Sequence, residues 1–168
     1  MTCKQCKTKP VWKFTNKVQL CKKCFCDYFE RKIFRTIRKH DMLPKDKEIR
    51  IKKSSGLNTM VLVFVLQKKF QVKFTGKPNF SCENLSDVSE MVFSNVLKGK
   101  FLGAKPKQGS LSLPLYYLSD KEIELYAKIK KISGKKSVRD KKVQTLFSRF
   151  FKKNPDLEHN IVNAFSQI

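Results

Sequence analysis

The sequence predicts an α/β fold, an open sheet flanked by helices, with a small metal-binding ribbon ahead of it. After residue 48, short alternating apolar segments typical of strands are interleaved with amphipathic segments typical of helices. Five of the six cysteines lie within the first 26 of the 168 residues, in a spaced pattern. The 37 Lys and Arg residues outnumber the 14 Asp and Glu residues, which indicates a polyanionic partner, most simply a nucleic acid.

The N-terminal cysteines form two C-x2-C pairs, which are Cys3 with Cys6 and Cys21 with Cys24. Zinc binds four thiolates tetrahedrally, and each pair supplies two of them from one tight turn. Short apolar segments on either side of Thr15-Asn16 predict a hairpin between the pairs. Because the first residues lack the apolar stretch of a secretory signal, metal ligation is favoured over disulfides. We therefore expect a structural zinc ribbon in residues 1–26.

The other cysteines and both histidines lie outside any ligand spacing. Cys26 follows the second pair and is expected to be a buried or idle thiol, and Cys82 stands alone. His40 and His159 have no Cys/His or Ser/His/Asp spacing around them, so surface or packing roles are expected.

Residues 25–39 predict a basic amphipathic helix, and residues 27–47 are expected to comprise this helix and a linker. Its apolar face repeats every four residues, at Phe25, Phe29, Ile33 and Ile37. The other faces carry the candidate RNA-binding residues, which are Arg31, Lys32, Arg35, Arg38 and Lys39. The position directly after a zinc ribbon favours contact with RNA, and a merely solvated basic face is the alternative interpretation.

Residues 48–168 are expected to form the α/β domain. Alternating Ile49 and Ile51 predict a strand within residues 48–53, and residues 70–74 predict another. Residues 57–66 are almost entirely apolar, so they are either a buried helix or a strand.

The C-terminal half predicts helices over residues 87–99, 119–131, 138–153 and 156–168, a loop over 100–112 and a short strand over 113–118. The first of these helices begins at a capping box of Asp87 with Glu90. The second begins at a capping box of Ser119 with Glu122.

Charge is unevenly distributed along the chain. Residues 1–40 hold 12 basic and two acidic residues, and residues 120–153 hold 12 basic and four acidic residues. Residues 78–97 hold three acidic residues and no basic one. RNA is therefore expected to contact the ribbon, the helix after it and the C-terminal helices. The longest apolar run, Met60 to Leu66, is too short to span a bilayer, so no membrane partner is expected.

Four stretches in order carry a resemblance to a known family: the cysteine pairs with residues 25–37, Ile49 to Thr59, Cys82 to Gly99, and Leu113 to Ala127. They resemble the entry module, the S-G-G-K-D-S loop with its strand, the G-H-N-L-D-D helix, and the R-P-L and K-E-x-x-x-Y-A segments of tRNA 2-thiolation proteins. Those proteins carry an N-terminal zinc ribbon before a PP-loop adenylation domain, which is a doubly wound α/β fold. The resemblance implies a reduced PP-loop-type open sheet and tRNA as the bound nucleic acid.

The nucleotide loop departs from the pattern of that family. A PP-loop binds the pyrophosphate of ATP through backbone N–H groups and a lysine, with an acidic residue for the metal. The resemblance places Leu57 at the lysine position and Asn58 at the acidic position, while Ser55, Gly56 and Thr59 remain. We therefore expect a degenerate nucleotide loop that does not bind ATP tightly.

The cysteines that the family uses in sulfur transfer are also missing. The chain between Leu66 and Cys82 is much shorter than in the family and contains no C-x-x-C segment. Residues 127–168 contain no cysteine either. No catalytic residue is assigned, zinc is the expected cofactor, and an iron–sulfur cluster held by those cysteines is not expected.

Three functions fit these observations. The first is a cytoplasmic tRNA-binding subunit in 2-thiolation of tRNA uridine at the wobble position, forming a heterodimer with a catalytic paralogue, as resemblance to the degenerate members of the family implies. The second is a reduced but active ATP-dependent tRNA sulfurtransferase that uses Cys82 as its thiol. The third is a zinc-ribbon RNA-binding module unrelated to thiolation.

Overall fold

The structure, a computed structural model, describes residues 2–101, 103–137 and 141–166. Its helices are α1 (Lys22–Lys39), α2 (Leu57–Leu66), α3 (Leu85–Leu97), α4 (Asp120–Lys130), α5 (Lys141–Lys153) and α6 (Leu157–Ser166). Its strands are β1 (Trp12–Lys13), β2 (Gln19–Leu20), β3 (Ile49–Ile51), β4 (Val72–Phe74), β5 (Lys107–Gln108) and β6 (Leu111–Ser112). None of the helices in this part of the chain combines the length and apolar character needed to cross a bilayer.

The N-terminal hairpin pairs β1 with β2 in the antiparallel sense. The Phe14 N–H donates to the Val18 carbonyl at 2.8 Å, and Lys17 takes a positive φ of 64° within the turn between them. The predicted hairpin around Thr15-Asn16 is thereby confirmed.

Helix α1 begins at Lys22, earlier than the predicted start at residue 25. Cys21 is its N-cap residue, and the Phe25 N–H donates to the Cys21 carbonyl at 2.8 Å. The second cysteine pair therefore spans the entry into the helix, and Cys24 lies on its first turn. The predicted apolar face is confirmed, because four residues at this spacing are buried: Phe25, Phe29, Ile33 and Ile37.

The open sheet is built on the parallel pair β3–β4, with α2 as the connection between the two strands. Single parallel bridges extend the pairing from Ile51 to Phe80 and from Phe80 to Ser112 in β6. The lateral order is therefore β4, β3, Phe80 and β6, and strands alternate with helices along the chain. The predicted open α/β architecture is confirmed.

Residues 57–66 form a helix, which decides between the two structures that the sequence left open. Four of its apolar side chains are fully buried, namely Val61, Leu62, Val65 and Leu66. Helix α2 packs against α4 and shares one hydrophobic core with β3 and the buried face of α1. Burial on more than one side explains why its apolar residues surround most of the helix.

Helix α3 begins two residues before the predicted start, so the predicted capping box of Asp87 with Glu90 is wrong. The N-cap residue is Asn84, whose side-chain oxygen accepts from the Asp87 N–H at 2.8 Å. The Asp87 carboxylate accepts in return from the Asn84 N–H at 3.1 Å. Asn is as good an N-cap as Asp, and Asp87 instead serves as the third helical residue of the box.

Two predictions between α3 and α4 are wrong. The expected loop over 100–112 contains the hairpin β5–β6, which turns at Gly109 with a φ of 58°. The expected strand over 113–118 is a buried series of turns, in which the Tyr116 N–H donates to the Leu113 carbonyl and the Leu118 N–H to the Leu115 carbonyl. A short buried apolar run has the same pattern in a strand and in a turn, and only its neighbours decide between them.

The C-terminal helices form a second layer. The capping box of Ser119 with Glu122 is confirmed, because each side chain bonds to the backbone N–H of the other. Helix α6 packs on α3 around a smaller core of Leu85, Val88, Val92, Leu113, Tyr116 and Val162. The predicted helix over 138–153 corresponds to α5 and that over 156–168 to α6, and residues 138–140, 167 and 168 lie outside the described part.

Candidate metal centre, nucleotide loop and basic surface

The four cysteines of the two pairs converge on one point. The sulfur atoms of Cys3, Cys6, Cys21 and Cys24 all lie within 4.8 Å of one another. The Cys6 Sγ lies 3.3 Å from the Cys21 Sγ and 3.6 Å from the Cys24 Sγ. The β1–β2 hairpin holds the first pair against the second, because the Lys4 N–H donates to the Gln19 carbonyl at 3.0 Å.

These spacings fit a single tetrahedral ion. With metal–sulfur bonds of about 2.3 Å, tetrahedral geometry places ligand sulfurs about 3.8 Å apart. A four-iron cluster would hold its thiolates further apart, because a cube of iron and sulfide stands between them. Cys3, Cys21 and Cys24 are buried and Cys6 is exposed, so the candidate ion would lie just beneath the surface.

The thiols of Cys21 and Cys24 differ in how readily they ionise. The backbone N–H of Cys24 and the Thr8 hydroxyl bond to the Cys21 sulfur and lower its pKa to about 6. Burial and the three neighbouring sulfurs raise the pKa of Cys24 to about 12. A bound cation would remove this opposition, because it stabilises all four thiolates at once.

The nucleotide loop retains its backbone framework. Residues 54–56 follow the end of β3, and α2 starts directly after Gly56. The segment around Gly134 lies so close to this loop that an added Cβ would stand 2.7 Å from the Leu57 Cα. The Lys135 N–H donates to the Ser55 carbonyl at 2.8 Å, and this bond ties the segment to the loop.

Two backbone N–H groups at the start of α2 donate hydrogen bonds within the protein. The Leu57 N–H donates to the Lys135 carbonyl at 2.8 Å, and the Gly56 N–H donates to the Ser54 Oγ at 3.0 Å. A phosphate group needs such N–H donors at the start of a helix. Occupied donors and an apolar Leu57 side chain leave this loop poorly suited to a triphosphate.

The amide of Asn58 takes part in a hydrogen bond that a carboxylate could not make. Its Nδ2 donates to the Asp87 Oδ2 at 3.1 Å. Two carboxylates at that distance would repel each other and would need a cation between them. Thr59 is buried beside this pair, and burial raises the pKa of the Cys82 thiol, to which the Thr59 side chain bonds.

Sequence reasoning missed the lysines around this loop. A cavity of about 740 Å³ lies at the loop, and four lysines contribute to its lining: Lys52, Lys53, Lys135 and Lys136. Lys52 and Lys53 follow β3 directly, and the lysine-rich break after α4 was the signal for the other two. The loop therefore has a basic environment, although the resemblance places Leu57 at the lysine position.

The basic residues of α1 do not all face solvent. Arg31, Arg35, Arg38 and Lys39 are exposed. The Lys32 ammonium lies 3.2 Å from the Glu122 Oε1 and donates to the Tyr28 hydroxyl at 2.8 Å. Glu122 is buried, so Lys32 neutralises an internal carboxylate and is less available to RNA than its neighbours.

The open sheet, the serine–glycine turn between β3 and α2, and the preceding four-cysteine ribbon give this protein the fold of a PP-loop tRNA thiolase. The structure superposes on the U34-tRNA thiolase NcsA from Methanococcus maripaludis, solved with its [4Fe-4S] cluster, with a TM-score of 0.80. That match covers 99% of this chain and 86% of the other chain at 16% sequence identity, so it shows the fold alone.

A protein with a similar sequence is also a tRNA thiolation enzyme. The chain is 39% identical over 69 residues to a tRNA-5-methyluridine(54) 2-sulfurtransferase of Pyrococcus horikoshii (strain ATCC 700860 / DSM 12428 / JCM 9974 / NBRC 100139 / OT-3). The matched segment makes up 40% of this chain and 22% of that relative's length. No protein-family profile matches the chain. Both relatives are tRNA thiolation enzymes, which supports the resemblance to the tRNA thiolation family.

Proposed function

We propose that this protein is a tRNA-binding subunit in the 2-thiolation of tRNA uridine, acting with a catalytic PP-loop sulfurtransferase. One observation carries the non-catalytic assignment, the hydrogen bond from Asn58 to Asp87 in the nucleotide loop. This bond engages the Asp87 carboxylate at the place where a catalytic loop would hold its metal. The engaged N–H groups of Gly56 and Leu57 support the same assignment.

The tRNA part of the proposal rests on charge and on the two relatives. The chain carries a formal net charge of +23, and both relatives act on tRNA. Their names differ in the uridine, which is at position 54 for the sequence relative and at position 34 for the structural relative. We propose the wobble uridine as the target, because the position-34 enzyme shares its fold with nearly the whole chain. A cytoplasmic location and a structural zinc ion in the four-cysteine ribbon complete the proposal.

Charge reversal on α1 tests the RNA surface. Arg35→Glu combined with Arg38→Glu is expected to weaken tRNA binding by about 1–3 kcal/mol, since each lost charged contact has a worth of this order. Filter binding over a series of salt concentrations should also show a shallower salt dependence, because fewer counterions are released. The matched control is Lys45→Glu with Lys77→Glu, which makes the same charge change on exposed residues outside α1.

The control pair is expected to weaken binding only slightly, because screening limits the reach of distant surface charges. Equal losses in the two double variants would mean that binding depends on net charge alone. An unchanged affinity of the α1 variant at matched salt would make α1 a solvated basic face. Zinc content and the thermal unfolding temperature should be the same as in the parent protein in both variants.

The four lysines around the loop cavity favour a second candidate, the reduced but active sulfurtransferase. The two proposals are separated by calorimetry of the purified protein with Mg-ATP. We expect no micromolar binding, because Leu57 and Asn58 provide neither the charge nor the metal ligand. Micromolar binding, or release of AMP on addition of tRNA, would support the enzyme, and Cys82→Ser would then test its thiol.

The catalytic partner is tested by affinity capture of the full chain followed by identification of the bound proteins. A complete PP-loop paralogue should be recovered. Recovery of RNA without such a paralogue would favour the third interpretation, an RNA-binding module unrelated to thiolation. Analysis of 2-thiouridine at positions 34 and 54 in tRNA from cells lacking the protein would then identify the affected uridine.

A further inference from the structure

A second cavity, which the proposed function does not use, lies between the ribbon and the C-terminal helices. Its volume is about 840 Å³, which is within the range of small-molecule sites. Its lining combines the β1–β2 hairpin, α1, the starts of α4 and α6, and one face of α5. Five aromatic side chains contribute to the lining: Trp12, Phe14, Tyr28, Phe147 and Phe151. We call it the aromatic cavity.

The rings form two groups. On the ribbon side, Phe14 packs edge-on against Trp12 at 6.0 Å and against Tyr28 at 4.9 Å between ring centroids. On the side of α5, Phe147 and Phe151 lie 5.6 Å apart. Except for Phe147, these side chains are only partly buried, so part of each ring surface remains exposed.

A basic stripe leads away from the aromatic cavity. Tyr28, Lys32, Arg35 and Lys39 follow one another along α1 at spacings of four, three and four residues, which places them on one side of the helix. Lys32 lies 5.3 Å from the centre of the Tyr28 ring at the cavity itself. Lys121 lies 5.3 Å from the centre of the Phe151 ring on the other side.

Carboxylates also line the cavity, which disfavours phosphate within it. Glu122 belongs to the lining and is paired with Lys32. Four further carboxylates belong to the same lining, those of Glu90, Asp120, Asp156 and Glu158. A phosphate group would therefore be held on the basic stripe outside, while an uncharged base could enter. The exposed Gln144 amide offers both a donor and an acceptor for the edge of such a base.

We propose that the aromatic cavity binds an unstacked nucleobase of the bound RNA, with the flanking phosphates at Arg35 and Lys39 of the basic stripe. Unpaired bases bind proteins by stacking on aromatic side chains, with the backbone tracked by positive charge. The inference rests on the proposed tRNA binding and extends it, because it gives the protein a base-binding site distinct from the nucleotide loop.

The chain has one tryptophan, Trp12, and it lies in this cavity, so its fluorescence reports on the site directly. Full-length zinc-loaded protein is titrated with tRNA, with short single-stranded RNA and with duplex RNA of matched length. Single-stranded RNA and tRNA should quench or shift the emission, while duplex RNA should bind with little change. Binding of single-stranded RNA or tRNA without any change in emission would overturn the proposal.

A pair of variants on one helix supplies the second measurement. Phe151→Leu removes a ring of the cavity and is expected to weaken single-stranded RNA binding about tenfold, the usual effect of losing one stacked base. Phe150→Leu is the control, since Phe150 is 51% exposed, packs only against Phe93 among the aromatic rings described, and does not line the cavity. Equal effects of the two variants, at equal thermal stability, would contradict the proposal.

The outcomes distinguish this inference from the proposed function. Suppose that tRNA binds with the expected salt dependence, but the Trp12 emission does not change and Phe151→Leu does not weaken binding. The base site is then wrong and the tRNA-binding function remains. If the parent protein binds no tRNA at physiological salt, the proposed function is wrong and the base site is wrong with it.

Discussion

The cysteine ribbon and the nucleotide loop differ in which features of a binding site they contain. The ribbon has the side chains that could bind a metal, and the loop has the backbone geometry of a nucleotide site. In the ribbon, all four candidate ligands are present and their sulfurs lie within 4.8 Å of one another. In the loop, the backbone turn and the start of α2 are present, but Leu57 and Asn58 stand at the two positions where the resemblance leads us to expect charged residues. The ribbon retains its chemistry, whereas the loop retains only its framework.

The difference follows from what stabilises each region. The loop is held by packing, since β3 and α2 contribute to the main hydrophobic core. The partly buried Leu57 side chain packs against the same core, so an apolar residue at this position contributes to that packing. The ribbon has strands of only two residues, and its cysteines provide much of its buried surface. Loss of its ligands would therefore remove the structure together with the site.

Loss of one ribbon ligand should have the largest effect. Cys24→Ser is expected to release the metal and unfold the ribbon, because structural zinc binding contributes folding free energy of about 10 kcal/mol or more in small zinc domains. Elemental analysis and circular dichroism measure the outcome. Cys26→Ser is the matched control, since Cys26 is buried on α1 but lies outside the four-sulfur cluster, and it should retain one metal ion. Zinc-free parent protein with a folded ribbon would contradict the comparison.

The second largest effect is expected at the closest backbone contact of the loop. Gly134→Ala is expected to lower the free energy of unfolding by about 3 kcal/mol, because the new Cβ would lie 2.7 Å from backbone atoms that cannot move aside. Gly76→Ala is the control, since no atom lies within 4 Å of its added Cβ. Denaturant unfolding of both variants measures the difference, and equal stability would mean that the loop is not held by this contact.

Restoring the acidic residue should destabilise the loop by a smaller amount. Asn58→Asp is expected to lower the free energy of unfolding by about 2 kcal/mol at neutral pH, since a hydrogen bond to Asp87 is replaced by repulsion. Repulsion raises the pKa of one carboxyl in the folded state, so the loss should shrink as the pH falls through the carboxyl range. Asn58→Ala removes the bond without adding a second carboxyl, so its loss of stability should be smaller and should depend less on pH.

The smallest effect is expected for a change at Glu30 on α1, which follows the ribbon in the chain. Burial opposes the ionisation of Glu30, but hydrogen bonds from Lys68 and Tyr126, both at 2.6 Å, outweigh it and hold the pKa of its carboxyl below the ordinary value. Glu30→Gln should lower the free energy of unfolding by about 1 kcal/mol, reduced by solvent screening at the exposed Lys68.

The sign of its pH dependence follows from the lowered pKa. Stability from the Glu30 carboxylate is present above the pKa of the unfolded state and is lost as the pH falls through the folded pKa. The difference between parent and Glu30→Gln should therefore be constant near neutrality and disappear in acid. A difference that grows on acidification would show that Glu30 is not held as a carboxylate.

Local sequence patterns predicted the parts of the fold that depend on neighbouring residues. The spacing of Cys3, Cys6, Cys21 and Cys24 predicted a cluster that the structure assembles, and the four-residue repeat of α1 predicted its buried face. Errors arose where two local patterns competed. Asp87 and Asn84 are both good N-caps, and the apolar run after residue 112 suits a strand as well as a buried turn.

What the sequence by itself determined is the identity of the four candidate metal ligands, the basic character of α1 and the uncharged side chains at positions 57 and 58. Only the tertiary structure decided that Lys32 neutralises Glu122, that the Leu57 N–H is engaged by Lys135, and that Trp12 and Phe151 line one cavity. The first set depends on spacings of a few residues, which backbone geometry fixes locally. The second set joins residues at least 78 positions apart in the chain, and such contacts form only when the core brings their elements together.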